Sequence, residues 1–196
     1  MTQNSKTTTA RRIAAIVAVP LVAGLVLSGC TASAPTSAPS TSRSAPTGSS
    51  ASPAALADAA KTAGAVTGSG TVISIEQEAG GSSWEVLVVA DDGSEQEVHV
   101  SADGSSVIAG PTAKTSDAGD LAENVAFLAA AKIGVSKASE LMRDAVAGSV
   151  TELGLDDHQG AVVWEGDVVD SANQRHSIRL DAGSGNVVTN SVDTDD

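Results

Sequence analysis

An internal repeat constrains this chain more than any other feature. Shifted against itself by 80 residues without a gap, the sequence lays Ala65-Val66 on Ala145-Val146 and Gly68-Ser69 on Gly148-Ser149. Thr71 falls on Thr151, Gly80 on Gly160, Trp84-Glu85 on Trp164-Glu165, and Val88-Val89 on Val168-Val169. Ala102 meets Ala182 and Val107 meets Val187, which makes 12 identities over residues 65–108. This composition would give roughly four by chance. Unlike pairs keep their character: Ile73 with Leu153, Ile75 with Leu155, Val98 with Ile178, Val100 with Leu180. A small unit used twice is therefore expected.

Each copy has the same plan. A helix opens it, over 53–66 in the first copy, with Leu56, Ala60 and Ala63 on one face. In the second copy Ser136 is expected to cap a helix over 137–147, where Ala138, Leu141, Met142 and Ala145 follow helical spacing. The helices hold the 80-residue register less well than the strands. Strand-like segments follow at Thr71 to Glu78, with Ile73 and Ile75 on one face, then Trp84 to Val89 and Glu97 to Val100, and Val107-Ile108 closes the set. Gly80-Gly81, Asp91-Asp92-Gly93 and Asp103-Gly104 are turn signals between them. The second copy adds a helix over about 118–133, with Leu121, Val125, Leu128 and Lys132 in register and Gly134 as its stop. The expected class is α+β, two tandem units, each a helix packed on a small antiparallel sheet.

Such a core has little to work with. The aromatic residues are Phe127, Trp84 and Trp164, so Val, Ile, Leu and Ala must supply the rest. A unit near 60 residues is marginal on surface-to-volume grounds, and two packed together are safer. Trp84 and Trp164 are read as core plugs before ligand platforms.

The first thirty residues are an export signal. Lys6, Arg11 and Arg12 make a positive start, and an apolar run from Ile13 to Leu27 follows, broken by Pro20 and Gly24. Fifteen residues of helix span about 22 Å, short of the roughly 30 Å membrane core. Leu27-Ser28-Gly29-Cys30 looks like the lipobox of bacterial lipoproteins. The resemblance implies lipid transfer to the Cys30 thiol and cleavage before it, hence an extracytoplasmic protein held to the cell membrane. Two acyl chains anchor stably where one does not. Cys30 is the only cysteine, so no internal disulfide can form. Residues 30–53, rich in Ser, Thr, Ala and Pro, are expected to be a disordered tether. Without the three leader cations, 24 Asp and Glu face 8 Lys and Arg, a side-chain net of −16. That balance argues against nucleic acid and against an anionic membrane face as partners.

The order helix, strand, Trp-Glu-Val strand and hairpin resembles the PepSY domain. That family closes on an Asp-Ala-x-Thr-Gly-x-Val signature, and the second copy ends in Asp181-Ala182-Gly183-Ser184-Gly185-Asn186-Val187, with Ser for Thr. Its central strand departs from the family at Gly166, where Val is usual. The first copy shows the reverse: Trp84-Glu85-Val86 fits, whereas 101–107 lacks the Asp and the Gly at their places. Asp181 and Gly185 belong to a tight turn and are structural. The resemblance implies units at 54–110 and 134–190, joined by a connector with its helix at 111–133 and followed by an acidic tail at 191–196. It also implies a non-catalytic module that binds or modulates an envelope or secreted protein, a peptidase above all, with no cofactor.

The residues offer no catalytic set to set against this. His99, His158 and His176 lie on strands or turns, and no G-x-S-x-G motif occurs. Asp156, Asp157 and His158 are consecutive on a strand, so they point to alternate faces and make poor metal ligands. A small-molecule or cation-binding surface lipoprotein is the alternative. For a partner protein, an open sheet edge accepting an extended segment is the expected mode.

Overall fold

The computed structural model describes residues 53–78 and 80–193, which lie in one compact unit. The order is α1 (Pro53–Thr67), β1 (Thr71–Glu78), β2 (Ser83–Val89), β3 (Glu95–Ser101), β4 (Val107–Ala113), α2 (Ala118–Ala130), α3 (Val135–Ala145), β5 (Gly148–His158), β6 (Ala161–Asp170), β7 (Arg175–Asp181) and β8 (Val187–Val192). β3 and β7 begin and end 80 residues apart, and β4 and β8 begin 80 apart.

The strands do not form two separate sheets. They make one antiparallel sheet in the order β4-β3-β2-β1-β5-β6-β7-β8. β1 and β5 meet edge to edge through Ser74↔Gly154, Ile75↔Leu153 and Glu76↔Glu152. Each would otherwise carry a row of unpaired backbone groups, and pairing them removes two edges at once. The free edges that remain are β4 and β8.

One face of this sheet holds the core. Trp84, Val86 and Val88 of β2 and Val98 and Val100 of β3 lie in one cluster with Leu153, Trp164, Val168, Ile178 and Leu180. α1 covers it with Ala55, Leu56, Ala59, Ala60 and Ala63, and α3 with Val135, Ala138 and Met142. The alanines let α1 lie close. A Cβ on Gly104, in the β3–β4 turn, would stand 2.5 Å from the Ala55 carbonyl oxygen.

The two tryptophans are 1% and 0% exposed, and each indole must place its N–H. Trp84 Nε1 donates to the Ala102 carbonyl at 3.1 Å. Trp164 Nε1 donates instead to the Ile133 carbonyl at 3.0 Å. Ala182, the counterpart of Ala102, accepts the backbone N–H groups of Lys132 and Ile133 at 2.9 and 3.2 Å. The connector is thus threaded between indole and turn in the second half.

Helix boundaries differ from expectation for identifiable reasons. Ser136 does not cap α3; Gly134 is its N-cap, and burial of Val135 draws the helix start inward. Gly134 is therefore not the stop of the preceding helix. α2 ends at Ala130: Ala131 still donates to Phe127, its helical partner, but the Lys132 and Ile133 amides are drawn to Ala182 instead. Its start is fixed by a capping box, Asp117 with Asp120. The buried face of α2 carries Asn124 and Phe127, while Val125 and Lys132 are exposed. Asn124 turns inward because its amide donates to Gly93 O at 2.9 Å and Glu95 Oε1 at 2.7 Å, tying the helix to the β2–β3 turn. No helix among the described residues is long and apolar enough to cross a membrane.

Candidate functional site

Alternation along the strands gives the opposite sheet face to polar side chains, and register lines them up. Across β3, β2, β1, β5 and β6 the directly opposed residues are His99, Glu85, Glu76, Glu152 and Asp167. Four carboxylates on four adjacent strands stand side by side, an arrangement that like-charge repulsion opposes. Burial raises the Glu76 carboxyl above its ordinary value, with Glu78 and Asp167 adding to the effect. Burial likewise leads for Glu152, followed by Glu76, and for Asp167, where Arg175 pulls the other way. Asp156 is also raised, chiefly by burial.

The densest part of this face lies on the first half. His99 places Nδ1 3.0 Å from Glu78 Oε2 and Nε2 3.1 Å from Glu97 Oε1. Lys114 holds the other oxygen of Glu97 and is the main cause of a lowered Glu97 carboxyl. Glu85, raised by burial and then by Glu97 and Glu78, completes the group. Donor atoms of Glu78, Glu85 and His99 lie within 4.8 Å of one another, and all three side chains are half-buried. On the second half, Arg179 grips Glu165 with Nε at 2.9 Å and Nη2 at 2.6 Å.

These carboxyls fix the sign of a pH effect. A group raised in the folded state binds protons more readily folded, so stability increases as pH falls through its titration. The thermal midpoint should rise by a few degrees as pH falls from 7 toward the ordinary carboxylate range, because Glu76, Glu85, Glu152, Asp156 and Asp167 take up protons earlier folded than unfolded. Below about pH 4 the trend should reverse, because Asp92, Glu97, Asp103, Asp170 and Asp181 lie below their ordinary values and lose hydrogen-bonded anions on protonation. Scanning calorimetry over this range checks it, and a midpoint that falls steadily from pH 7 would contradict it.

Of the residues singled out in sequence, His99 lies in the group with Glu78 and Glu85, and most others lie elsewhere. Leu27, Ser28, Gly29 and Cys30 are outside the described residues. Trp84 and Trp164 sit in the core on the other face of the sheet. His158 ends β5 beside Gln159, and His176 lies 3.3 Å from Asp170. Asp157 closes a turn by accepting the Gly160 N–H at 3.0 Å.

The two β-turns that follow β3 and β7 reach one geometry with different residues. Asp181 Oδ1 accepts the Ser184 N–H and hydroxyl, each at 2.7 Å, and Gly185 adopts φ +78°. A Cβ on Gly185 would strike Leu141 Cδ1 at 2.6 Å. The first half moves the carboxylate to Asp103, which accepts from Ser101 Oγ at 2.6 Å and Ser105 N at 3.0 Å, and moves the glycine to Gly104, φ +77°. These bonds, Ser101 first, bring the Asp103 carboxyl down to about 2. Ser101 N–H to Ser106 O closes one loop and Asp181 N–H to Asn186 O the other.

Comparison with known proteins agrees with the second half. No curated protein matches the chain. Among solved structures, a protein of Clostridium difficile 630 described as a candidate lipoprotein is similar at TM-score 0.45 and 19% identity, over 70% of this chain and 91% of that one. The YpmB protein from Bacillus subtilis is similar at TM-score 0.33 and 20% identity, over 69% and 96% respectively. The family model described as peptidase propeptide and YPEB domain matches residues 132–189, which run from the α2–α3 connection through the Asp181–Gly185 turn into β8. The second half of the chain carries a PepSY domain.

Proposed function

We propose that this chain is an extracytoplasmic, lipid-anchored protein of two tandem PepSY units that acts without catalysis, by binding a protein of the cell envelope, a peptidase by the family's implication. The PepSY match over 132–189 carries this reading. The 80-residue offset of β3 and β7, and the equivalent loops after them, support a second unit over 54–110. The lipobox at Leu27 to Cys30 supports the anchor.

Of the two free edges, β8 suits strand addition better. β4 contains Pro111, which has no N–H to offer an incoming strand. β8 has no proline, and its Val187, Val188 and Val192 are exposed. Asp193 N–H donates inward to Arg175 O, so by the two-residue alternation of an antiparallel ladder the amides of Val192 and Asn190 face outward. An extended partner segment would pair there.

A photo-crosslinking side chain at Asn190 should capture one envelope protein in living cells, and the same group at Thr112 of β4 should not. Asn190→Pro should reduce co-purification of that protein about tenfold, with Asn190→Ala nearly neutral. Equal capture from both edges would remove the edge model. Labelled palmitate should enter the chain and be absent from Cys30→Ser; an unlabelled wild-type chain would remove the anchor.

A further inference from the structure

The two halves treat one sheet position differently. Glu85 is opposed by His99, and Glu165, its counterpart 80 residues on, is opposed by Arg179. In the second half a guanidinium supplies a fixed positive charge against one carboxylate. In the first half the opposing residue is an imidazole, and Glu78 and Glu97 stand where the second half has His158 and Ser177. Lys114 pairs with Glu97, so Glu78 and Glu85 are left facing an imidazole where the second half has the permanent charge of Arg179.

Counting hydrogens shows what the imidazole needs. Both ring nitrogens face carboxylate oxygens, at 3.0 and 3.1 Å. A neutral imidazole has one N–H. With that hydrogen on Nε2 it is donated to Glu97, whose other oxygen Lys114 holds. The Nδ1 lone pair then points at Glu78 Oε2, and that contact is attractive only with a positive species between the two atoms. An imidazole whose second nitrogen donates to a held carboxylate is the usual setting of a metal-ligating histidine. Two donors about 2.0–2.1 Å from a tetrahedral ion stand roughly 3.3 Å apart. Nδ1 and Glu78 Oε2 are near that spacing already, and a Glu85 oxygen lies within 4.8 Å of both.

We propose that Glu78, Glu85 and His99 bind a divalent transition-metal ion of the zinc class, with Glu97 orienting His99 and one coordination position open on the uncovered face of the sheet. Imidazole nitrogen with carboxylate oxygen suits zinc and its neighbours and not calcium or magnesium. The row continues through Glu76 to Glu152 on β5, so the ion's charge also offsets repulsion where β1 meets β5. The inference stands whether or not a protein partner docks at β8.

Zinc titrated into the full chain carrying Cys30→Ser, which removes the competing thiol, should bind at one site in competition with a chromophoric chelator. His99→Arg rebuilds the second half's ion pair and should abolish that binding while the far-UV circular dichroism is unchanged. Glu85→Gln and Glu78→Gln should each weaken it more than tenfold, Glu97→Gln about tenfold, and His158→Ala not at all. Imidazole nitrogen resonances should assign Nδ1 of His99 as the metal-bound atom. Equal zinc affinity in the parent and His99→Arg chains would overturn the proposal. So would a His99 that takes up only a proton, its resonances unmoved by zinc.

Discussion

Trp164→Ala is expected to lower the unfolding free energy by about 4 kcal/mol, near the upper part of the range for truncating a fully buried aromatic. The indole is inaccessible to solvent and lies in the cluster with Leu153, Val168, Ile178 and Leu180. Its removal opens a large void in a core that has one other tryptophan to fill space. It also leaves the Ile133 carbonyl without its donor, in the segment that ties the connector to Ala182. Trp164→Phe keeps most of the volume and loses the hydrogen bond, so about 1–2 kcal/mol is expected. Guanidinium denaturation followed by far-UV circular dichroism gives both numbers. Faster hydrogen exchange at Lys132 and Ile133 should accompany the alanine change. A loss below 2 kcal/mol for Trp164→Ala would mean that the site collapses around the void.

Gly166→Val is expected to cost about 3 kcal/mol, although valine is the family's usual residue at this position and Val86 occupies it in the first half. A Cβ on Gly166 would stand 2.5 Å from the Glu152 carbonyl oxygen and 2.9 Å from Met142 Sδ. Met142 therefore fills the room that a valine would take. The buried positions Leu56, Ala59, Ala60 and Ala63 of α1 match Val135, Ala138, Ser139 and Met142 of α3 one residue out of the 80-residue register, so the counterpart of Met142 is Ala63 and the halves exchange volume between helix and strand: alanine with valine in one, methionine with glycine in the other. Combining Gly166→Val with Met142→Ala should cost less than the two single changes added together, because a side chain yields space and the Glu152 backbone does not. A double variant as unstable as the sum of the singles would show that the two positions do not share that space. Equilibrium denaturation of the three variants decides it.

Much of the fold was legible because its signals are local. Alternating apolar residues at Ile73, Ile75, Val98 and Val100 marked strands, and Gly80-Gly81 and Asp91-Asp92-Gly93 marked the turns between them. The merger of two sheets into one was not legible. Ser74, Ile75 and Glu76 look like any other strand residues, and nothing local says that their far edge meets Gly154, Leu153 and Glu152. α2 misled through its composition: Leu121, Val125 and Leu128 suggest an apolar stripe, yet Asn124 is buried because its amide has two partners in a turn about 30 residues away. The cluster at Glu78, Glu85 and His99 was missed for a related reason. His99 and Glu85 meet through the β2–β3 register, and Glu78 reaches them across the Gly80-Gly81 turn. Once both turns are placed, alternation alone puts the three on one face, so the signal was present in the hairpin lengths and absent from any motif.

The join between β1 and β5 rests on three register pairs, against seven between β1 and β2 and ten between β5 and β6. One of the three sets Glu76 against Glu152. A molecule pulled from its ends, or warmed gently, should part along this line before either hairpin frays. A fragment made by cutting the chain after β4 would carry one raw flank, ready to zip onto the first strand it met. Neither portion should be expected to stay monomeric alone, and a cell that trimmed this protein at the connector would be making two sticky pieces from one quiet one.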